Sequence, residues 1–537
     1  MKKKKDFDNF GIMLPVAYKA SMSLDSMKNF FKLIRKIGYN QVFLYTEDKI
    51  EVNNEPYHGY MRGRYSQAEI RELDAFADSI GIELIPCVQT LAHLGGLSLW
   101  GDHQMDTSDT LLVDDPRTYE YIDNLFATCR QCFKTDNIHI GMDEAVSMGL
   151  GAHLKKYGYE SKISMMTRHL AKVNELAAKH GYAHPMIWSD MLFYGWNNGA
   201  YVVPKQEVPE EYKNALPENV IPVYWDYYHK KESDYSDMIE MHQQISNRTW
   251  FAGGVWNWIG PMPNNYYTIK TMLPALDACR KHGIRNVFMT FWCGGDCSYY
   301  ANLPSVFYLA EYARGNTDEA DIKAKFEKMF AIGYDEFCRL DHVNFIADGW
   351  QEYYNNCSDC MIYSDPFRGY LDYTVEKGGS KIFAAVGADL AATAKKTRKY
   401  GYIFDLGAKL CALMEVKYEL GVKTREAYQA GDKAALRSLA ENEYAKLPGL
   451  NRAFRKAFEK QWMTENKPYG FEYWLVVLSG LEERTKLQQR RLLDYLDGKT
   501  DEIEELSWEL LPYGYKNEGW AYRYRITSLN IQPSLPT

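Results

Sequence analysis

The sequence predicts a (β/α)8 barrel followed by an α-helical domain. Three observations carry that prediction: a length of 537 residues, an alternation of short apolar runs with amphipathic stretches as far as Gly315, and the loss of β-type runs beyond it. The length exceeds one ordinary core and fits a barrel plus one further folding unit.

Taken in order, strands are expected at Gly11–Pro15, Gln41–Tyr45, Glu83–Val88, Asn137–Gly141, Met186–Ser189, Ile221–Trp225, Trp250–Val255 and Asn286–Phe291. Between them, Ser26–Ile37, Gln67–Ile80, Arg117–Phe133 and Lys162–Lys179 carry apolar residues at three- and four-residue intervals, as helices lying on an outer wall do. A doubly wound sheet shares this alternation, but eight strand–helix repeats match a closed barrel. Beyond Gly315, helical patterns cover Phe404–Ala427, Lys433–Gln461 and Tyr473–Leu496. The expected division is therefore a barrel over residues 1–315 and a helical domain over 316–537. No Pro/Gly/Ser-rich linker separates them, and Gly315-Asn316-Thr317-Asp318 reads as a turn and helix cap.

A formal charge of −8 leaves no basic surplus for a phosphate backbone, which argues against nucleic acid as a partner. Aromatic residues make up 15% of the chain, with 42 Tyr and 13 Trp, a composition suited to stacking on the C–H faces of sugars. The basic start Met1–Lys5 is followed by Asp6, Asp8 and Asn9 where a signal peptide needs an apolar stretch, and no run reaches membrane-spanning length. A cytoplasmic protein without membrane partners is expected, and a homo-oligomer is compatible with the sequence. Ten cysteines include the pairs Cys129/Cys132 and Cys357/Cys360, but the first lies in a helical pattern with no histidine pair nearby. Reduced structural thiols are expected rather than a zinc site.

Functional groups of such barrels stand at the C-terminal ends of the strands. The fourth run, Asn137-Ile138-His139-Ile140-Gly141-Met142-Asp143-Glu144-Ala145, ends in two adjacent carboxylates. If both face a pocket, ionised Asp143 raises the pKa of Glu144 and keeps it protonated as a general acid. The bland alternative has Asp143 capping a helix and Glu144 in solvent; the residues around the pair outweigh it.

His139, Gly141, Asp143 and Glu144 resemble the H-x-G-x-D-E signature of glycoside hydrolase family 20, the β-N-acetylhexosaminidases, at the strand where that family carries it. Ile85-Pro86-Cys87-Val88-Gln89-Thr90-Leu91-Ala92-His93 resembles the family's third-strand segment, which ends in a pocket histidine. Trp188, Trp225 and Trp292 follow the fifth, sixth and eighth strands, where members have tryptophans lining the sugar site. Lys467–Glu472, Tyr45–Asp48 and Arg62–Tyr65 resemble one subgroup, which lacks the small α/β domain before the barrel and has a helical C-terminal region. The resemblance covers nearly the whole chain.

It implies an exo-acting, retaining enzyme that removes terminal β-linked GlcNAc or GalNAc from an oligosaccharide or glycoconjugate, with no cofactor and no metal. The substrate's own 2-acetamido oxygen is the nucleophile, an exception to the two-carboxylate double displacement. On this resemblance Glu144 is the acid and then the base, while Asp143 steers and stabilises the acetamido group. Trp188, Trp225 and Trp292 box its methyl, and Tyr227 donates to its oxygen. His93 orients the carboxylates, and Asp296 contacts O4 or O6. His139 shares strand parity with Asp143 and so points into the barrel, as either a second orienting group or a satisfied structural histidine. Read from their place after the seventh strand, Trp256 and Trp258 either form a further wall or aglycone platform or pack in the core. One departure stands out: Met13-Leu14-Pro15-Val16-Ala17-Tyr18-Lys19 lacks the family's first-strand arginine, with Tyr18 in its place and Lys19 beside it. Two other readings compete. One is a conventional glycosidase with Asp190, Asp226 or Asp296 as a second carboxylate about 5 Å away; the other is a carbohydrate-binding relative without turnover.

Overall fold

A computed structural model describes residues 6–202, 204–346 and 357–511. Met1–Lys5 and residues 512–537, the end of the expected helical domain, lie outside the described residues.

Seven strands form one parallel sheet: β1 (Asn9–Pro15), β2 (Gln41–Tyr45), β3 (Glu83–Cys87), β4 (Met186–Trp188), β5 (Ile221–Trp225), β6 (Trp250–Gly254) and β7 (Asn286–Thr290). Their order is β3-β2-β1-β7-β6-β5-β4, which leaves β3 and β4 as the two edges. Residues 138–141 join those edges. His139 bridges Cys87 on one side and Met186 on the other. Val88 N donates to His139 O at 2.9 Å, and Ile140 N donates to Met186 O at 2.8 Å. The barrel thus closes and no unpaired edge remains at this seam.

The expected fourth strand is therefore corrected to a bridging segment centred on His139. Its extended backbone cannot continue, because Gly141 (φ 73°) and Met142 (φ 74°) turn left-handed. Gly141 is required there: a Cβ would come within 2.0 Å of Gln89 Oε1 and 2.8 Å of the Val88 carbonyl. Gly141→Ala is expected to destabilise the protein by about 2 kcal/mol, combining backbone strain with the clash. Thermal unfolding checks this; a Tm unchanged within about 1 °C would remove the argument.

The strands are apolar on both faces, as an all-parallel barrel requires. Met13, Phe43, Ile85, Met186, Val223, Ala252 and Phe288 fill the interior, while their neighbours Ile12, Val42, Leu84, Ile187, Tyr224, Phe251 and Val287 pack under the helices. That period-two alternation sends Tyr45 and Trp188, at the last positions of β2 and β4, up the interior toward the mouth. The outer helices start at side-chain caps, for example Ser23 on Leu24–Ile37 and a Ser66/Glu69 capping box on Gln67–Ser79.

Beyond the barrel the described residues are helical. The expected run Phe404–Ala427 is two helices, Gly401–Lys417 and Leu420–Gln429. The run from Lys433 passes through a π-turn at Leu439–Tyr444 before Ala445–Glu465. Pro448, which cannot donate to the carbonyl of Tyr444 four residues earlier, accounts for that wide turn. The chain after this helix reaches the barrel mouth, where Asn466 bridges Met22, Lys467 N donates to Ser21 O at 2.7 Å and Ser298 Oγ donates to Glu465 Oε1 at 2.5 Å. All ten cysteines are buried and none forms a disulfide, with Cys129 and Cys132 in the helix Pro116–Cys132. Among the described residues no helix is long and apolar enough to cross a membrane.

Candidate active site

Five non-glycine residues just past β1, β2, β3 and the bridging segment have left-handed backbones: Tyr18, Glu47, His93, Met142 and Glu144, with φ between 44° and 74°. Such conformations are costly for side chains with a Cβ and cluster where function over-determines them. At this end of the barrel lies a cavity of about 290 Å³, near the lower limit of small-molecule sites and sized for one sugar ring.

Asp143, Glu144, His93, Trp188, Trp225, Tyr227 and Trp292 line the cavity together, drawn from the ends of β3, β4, β5 and β7 and from the bridging segment between β3 and β4. Asp143 is buried, and its Oδ1 accepts a 2.7 Å hydrogen bond from Gln89 Nε2. His93 Nε2 lies 3.2 Å from Asp143 Oδ2 and 3.7 Å from Glu144 Oε2. Burial alone would raise the Asp143 carboxyl, but the His93 charge and hydrogen bonds from His93 and Gln89 hold it below its ordinary value. Burial opposes a charge on His93 too, yet Asp143 outweighs it and raises the imidazole above its ordinary value. The two form an ion pair. Glu144 is shifted the other way: burial first and the Asp143 charge second raise its carboxyl. One site thus holds a carboxyl pushed toward ionisation and, beside it, one pushed toward protonation, the pairing an acid catalyst needs.

The walls are aromatic. Trp225 stacks on Tyr227 at 5.5 Å, Trp188 meets Trp292 at 5.9 Å, and Trp292 Nε1 donates to the Tyr227 hydroxyl at 3.0 Å.

Three expected contact residues stand behind this wall. His139 is fully buried under Trp188, with ring centroids 4.4 Å apart, and its Nδ1 accepts from Gly141 N. Burial lowers its pKa to about 3, so it is neutral and supports the floor. Its inward parity was legible, but not that Trp188 caps it. Trp256 is fully buried and donates its Nε1 to Tyr227 O at 3.0 Å, while Trp258, packed on it at 4.4 Å, is the one that lines the cavity. Asp296 accepts from Gly294 N at 3.1 Å within its own loop and does not line the cavity.

Other lining groups carry no role in the sequence reading. Tyr45 and Tyr228 face the cavity, and Gln89 holds Asp143 from behind, its Oε1 accepting from Met142 N at 3.2 Å. The inner parity of β2 was a usable signal for Tyr45. At the first strand Tyr18 lines the cavity, whereas the Lys19 ammonium turns away to lie 4.2 Å from the ring centre of Tyr473 in the helix Phe471–Leu496.

Among the described residues, Glu55, Asp102 and His103 bring ligand-type atoms within 4.8 Å of one another. Arg117 already binds Glu55 through both guanidinium nitrogens, at 2.8 and 2.6 Å, so the positive charge there is supplied by the chain itself.

Residues 39–235 match the catalytic domain of glycosyl hydrolase family 20, and residues 335–522 match the glycoside hydrolase 20C C-terminal domain. The chain belongs to glycoside hydrolase family 20. Among curated relatives it is similar to hexosaminidase D of Bos taurus, 25% identical over 218 residues that cover 37% of this chain and 58% of that protein. Hexosaminidase D of Homo sapiens is 24% identical over 340 residues, covering 57% and 66% of the two chains. The chain thus spans less than two thirds of either relative's length. Among solved family 20 structures the chain matches a Flavobacterium johnsoniae chitobiase, with TM-score 0.47 and 16% identity over 85% of this chain and 78% of that one. Another is an exo-β-N-acetylglucosaminidase from Vibrio harveyi, with TM-score 0.46 and 15% identity over 63% and 59%.

Proposed function

We propose that this family 20 protein is an exo-acting, retaining β-N-acetylhexosaminidase that works by substrate-assisted catalysis. One observation carries the reading: among the described residues lining the cavity, the carboxyl groups are the adjacent pair Asp143 and Glu144. A two-carboxylate mechanism needs a second group across the sugar. Asp190 and Asp226 are buried and turned to protein donors, Asp190 to Glu144 N and Trp225 Nε1, Asp226 to Tyr224 OH and His229 Nδ1. Asp296 stays within its loop. The nucleophile must then come from the substrate, and an aromatic box beside an anionic carboxylate suits an acetamido group.

In this reading Glu144 gives its proton to the departing glycosidic oxygen and later takes one from the water that opens the cyclic intermediate. Asp143, anchored by Gln89 and His93, accepts from the acetamido N–H and stabilises the positive charge that develops there. Trp188, Trp225 and Trp292 hold the acetamido group under the anomeric carbon, and Tyr227 hydrogen-bonds its oxygen. A thiazoline that mimics the cyclic intermediate is expected to inhibit tightly; weak inhibition, or cleavage of β-glucosides as fast as β-GlcNAc-sides, would remove the acetamido nucleophile.

Tyr18 in place of a guanidinium offers one neutral hydroxyl to the far edge of the sugar, so the configuration at C4 is weakly policed. The kcat/KM values for aryl β-GlcNAc and β-GalNAc are expected to lie within about tenfold of each other, under about 1.4 kcal/mol of discrimination. A ratio above a hundredfold would show that another group reads O4.

A further inference from the structure

We propose that Asp190, two residues beyond the end of β4, is a positioning residue that aims Glu144 through its main chain and ties it to the Trp225 wall. The proposal rests on the reading of Glu144 as the general acid. The Glu144 side chain is 51% exposed, and its 3.7 Å approach to His93 is too long for a hydrogen bond. Its aim is set by its backbone, which is left-handed at φ 49°. A side-chain-bearing residue stays in that region only where its surroundings hold it.

The holding group is Asp190. This residue is fully buried, and its Oδ2 accepts from Glu144 N at 2.8 Å. Its Oδ1 accepts from Trp225 Nε1 at 3.3 Å, and Trp225 lines the cavity. The Asp190 carbonyl in turn accepts from Phe193 N and Tyr194 N at 2.9 and 3.0 Å, so the side chain starts from a fixed turn. One buried carboxyl thereby spans the proton donor and the wall of the acetamido box. Asparagine cannot replace it: two N–H donors need two acceptor oxygens, and an amide would point its NH2 at one of them.

Proton donation matters most when the leaving group is poor, and this separates misaimed acid from general damage. The test compares kcat/KM for aryl β-GlcNAc substrates from 2,4-dinitrophenyl to 4-methoxyphenyl in wild type, Asp190→Asn, Asp190→Glu, Glu144→Gln and the Glu144→Gln/Asp190→Asn double variant. Asp190→Asn is expected to lose about thirtyfold with methoxyphenyl and less than about threefold with dinitrophenyl, with Asp190→Glu between it and wild type. The double variant should be no slower than Glu144→Gln by more than about twofold, as expected for residues acting as one unit. A loss in Asp190→Asn that is equal across leaving groups, or losses that add in the double variant, would overturn the proposal while leaving Glu144 as the acid. If Glu144→Gln itself shows no dependence on the leaving group, the acid assignment fails and the positioning role falls with it. Should Asp190→Asn fold poorly, Asp190→Glu alone decides, since it keeps both acceptors and moves them by one methylene.

Discussion

Glu144→Gln is expected to lower kcat/KM for 4-methoxyphenyl β-GlcNAc by about 10³-fold, within the range that positioned proton transfer contributes. Glutamine keeps the shape and removes the proton, so thiazoline affinity should stay within about threefold. Rates equal to wild type would end the proposed role. The pH profile supplies a second check. The first step needs Glu144 protonated, and burial with the Asp143 charge raises its pKa. Activity should therefore persist to higher pH than an ordinary glutamic acid allows and fall as pH rises through the raised value. Glu144→Gln should flatten that alkaline limb.

Asp143→Asn should cost about 10²–10³-fold in kcat, the scale of removing one preorganised electrostatic partner of a developing charge. It differs from Glu144→Gln in its inhibitor signature, because Asp143 meets the part of the intermediate that the thiazoline imitates. Thiazoline affinity is expected to drop by at least about thirtyfold in Asp143→Asn. The electrostatics should also move together. Without its anion, His93 loses the charge that raises its pKa, and Glu144 loses the second of the two causes that raise its own. The alkaline limb of Asp143→Asn should lie below that of wild type. A limb unmoved by the substitution would mean that Asp143 is not the neighbour that tunes Glu144.

These expectations depend on features of differing legibility. Strand positions were readable because apolar runs on both faces are what a closed parallel barrel demands; Gln41–Tyr45 and Ile221–Trp225 fall at the expected residues. The fourth strand read as ordinary, yet His139 alone bridges its neighbours, because the left-handed turn at Gly141 and Met142 is a contact requirement and not a hydropathy signal. Strand-end position alone could not separate Trp258, on the cavity, from Trp256, behind it, since both stand past the same strand at the same parity.

The sequence by itself determined the barrel, the helical region after it and the pairing of Asp143 with Glu144, because periodicity and adjacency along the chain are local properties. Tertiary structure alone decided the surroundings of each carboxyl. Asp143 is held ionised by His93 and Gln89 from beyond β3, and Glu144 is aimed by Asp190 from beyond β4. It also turned Lys19 away toward Tyr473 and left Tyr18 facing the cavity. Those partners lie tens of residues or more away in the chain, and only closure of the barrel brings their charges and donors within hydrogen-bonding reach.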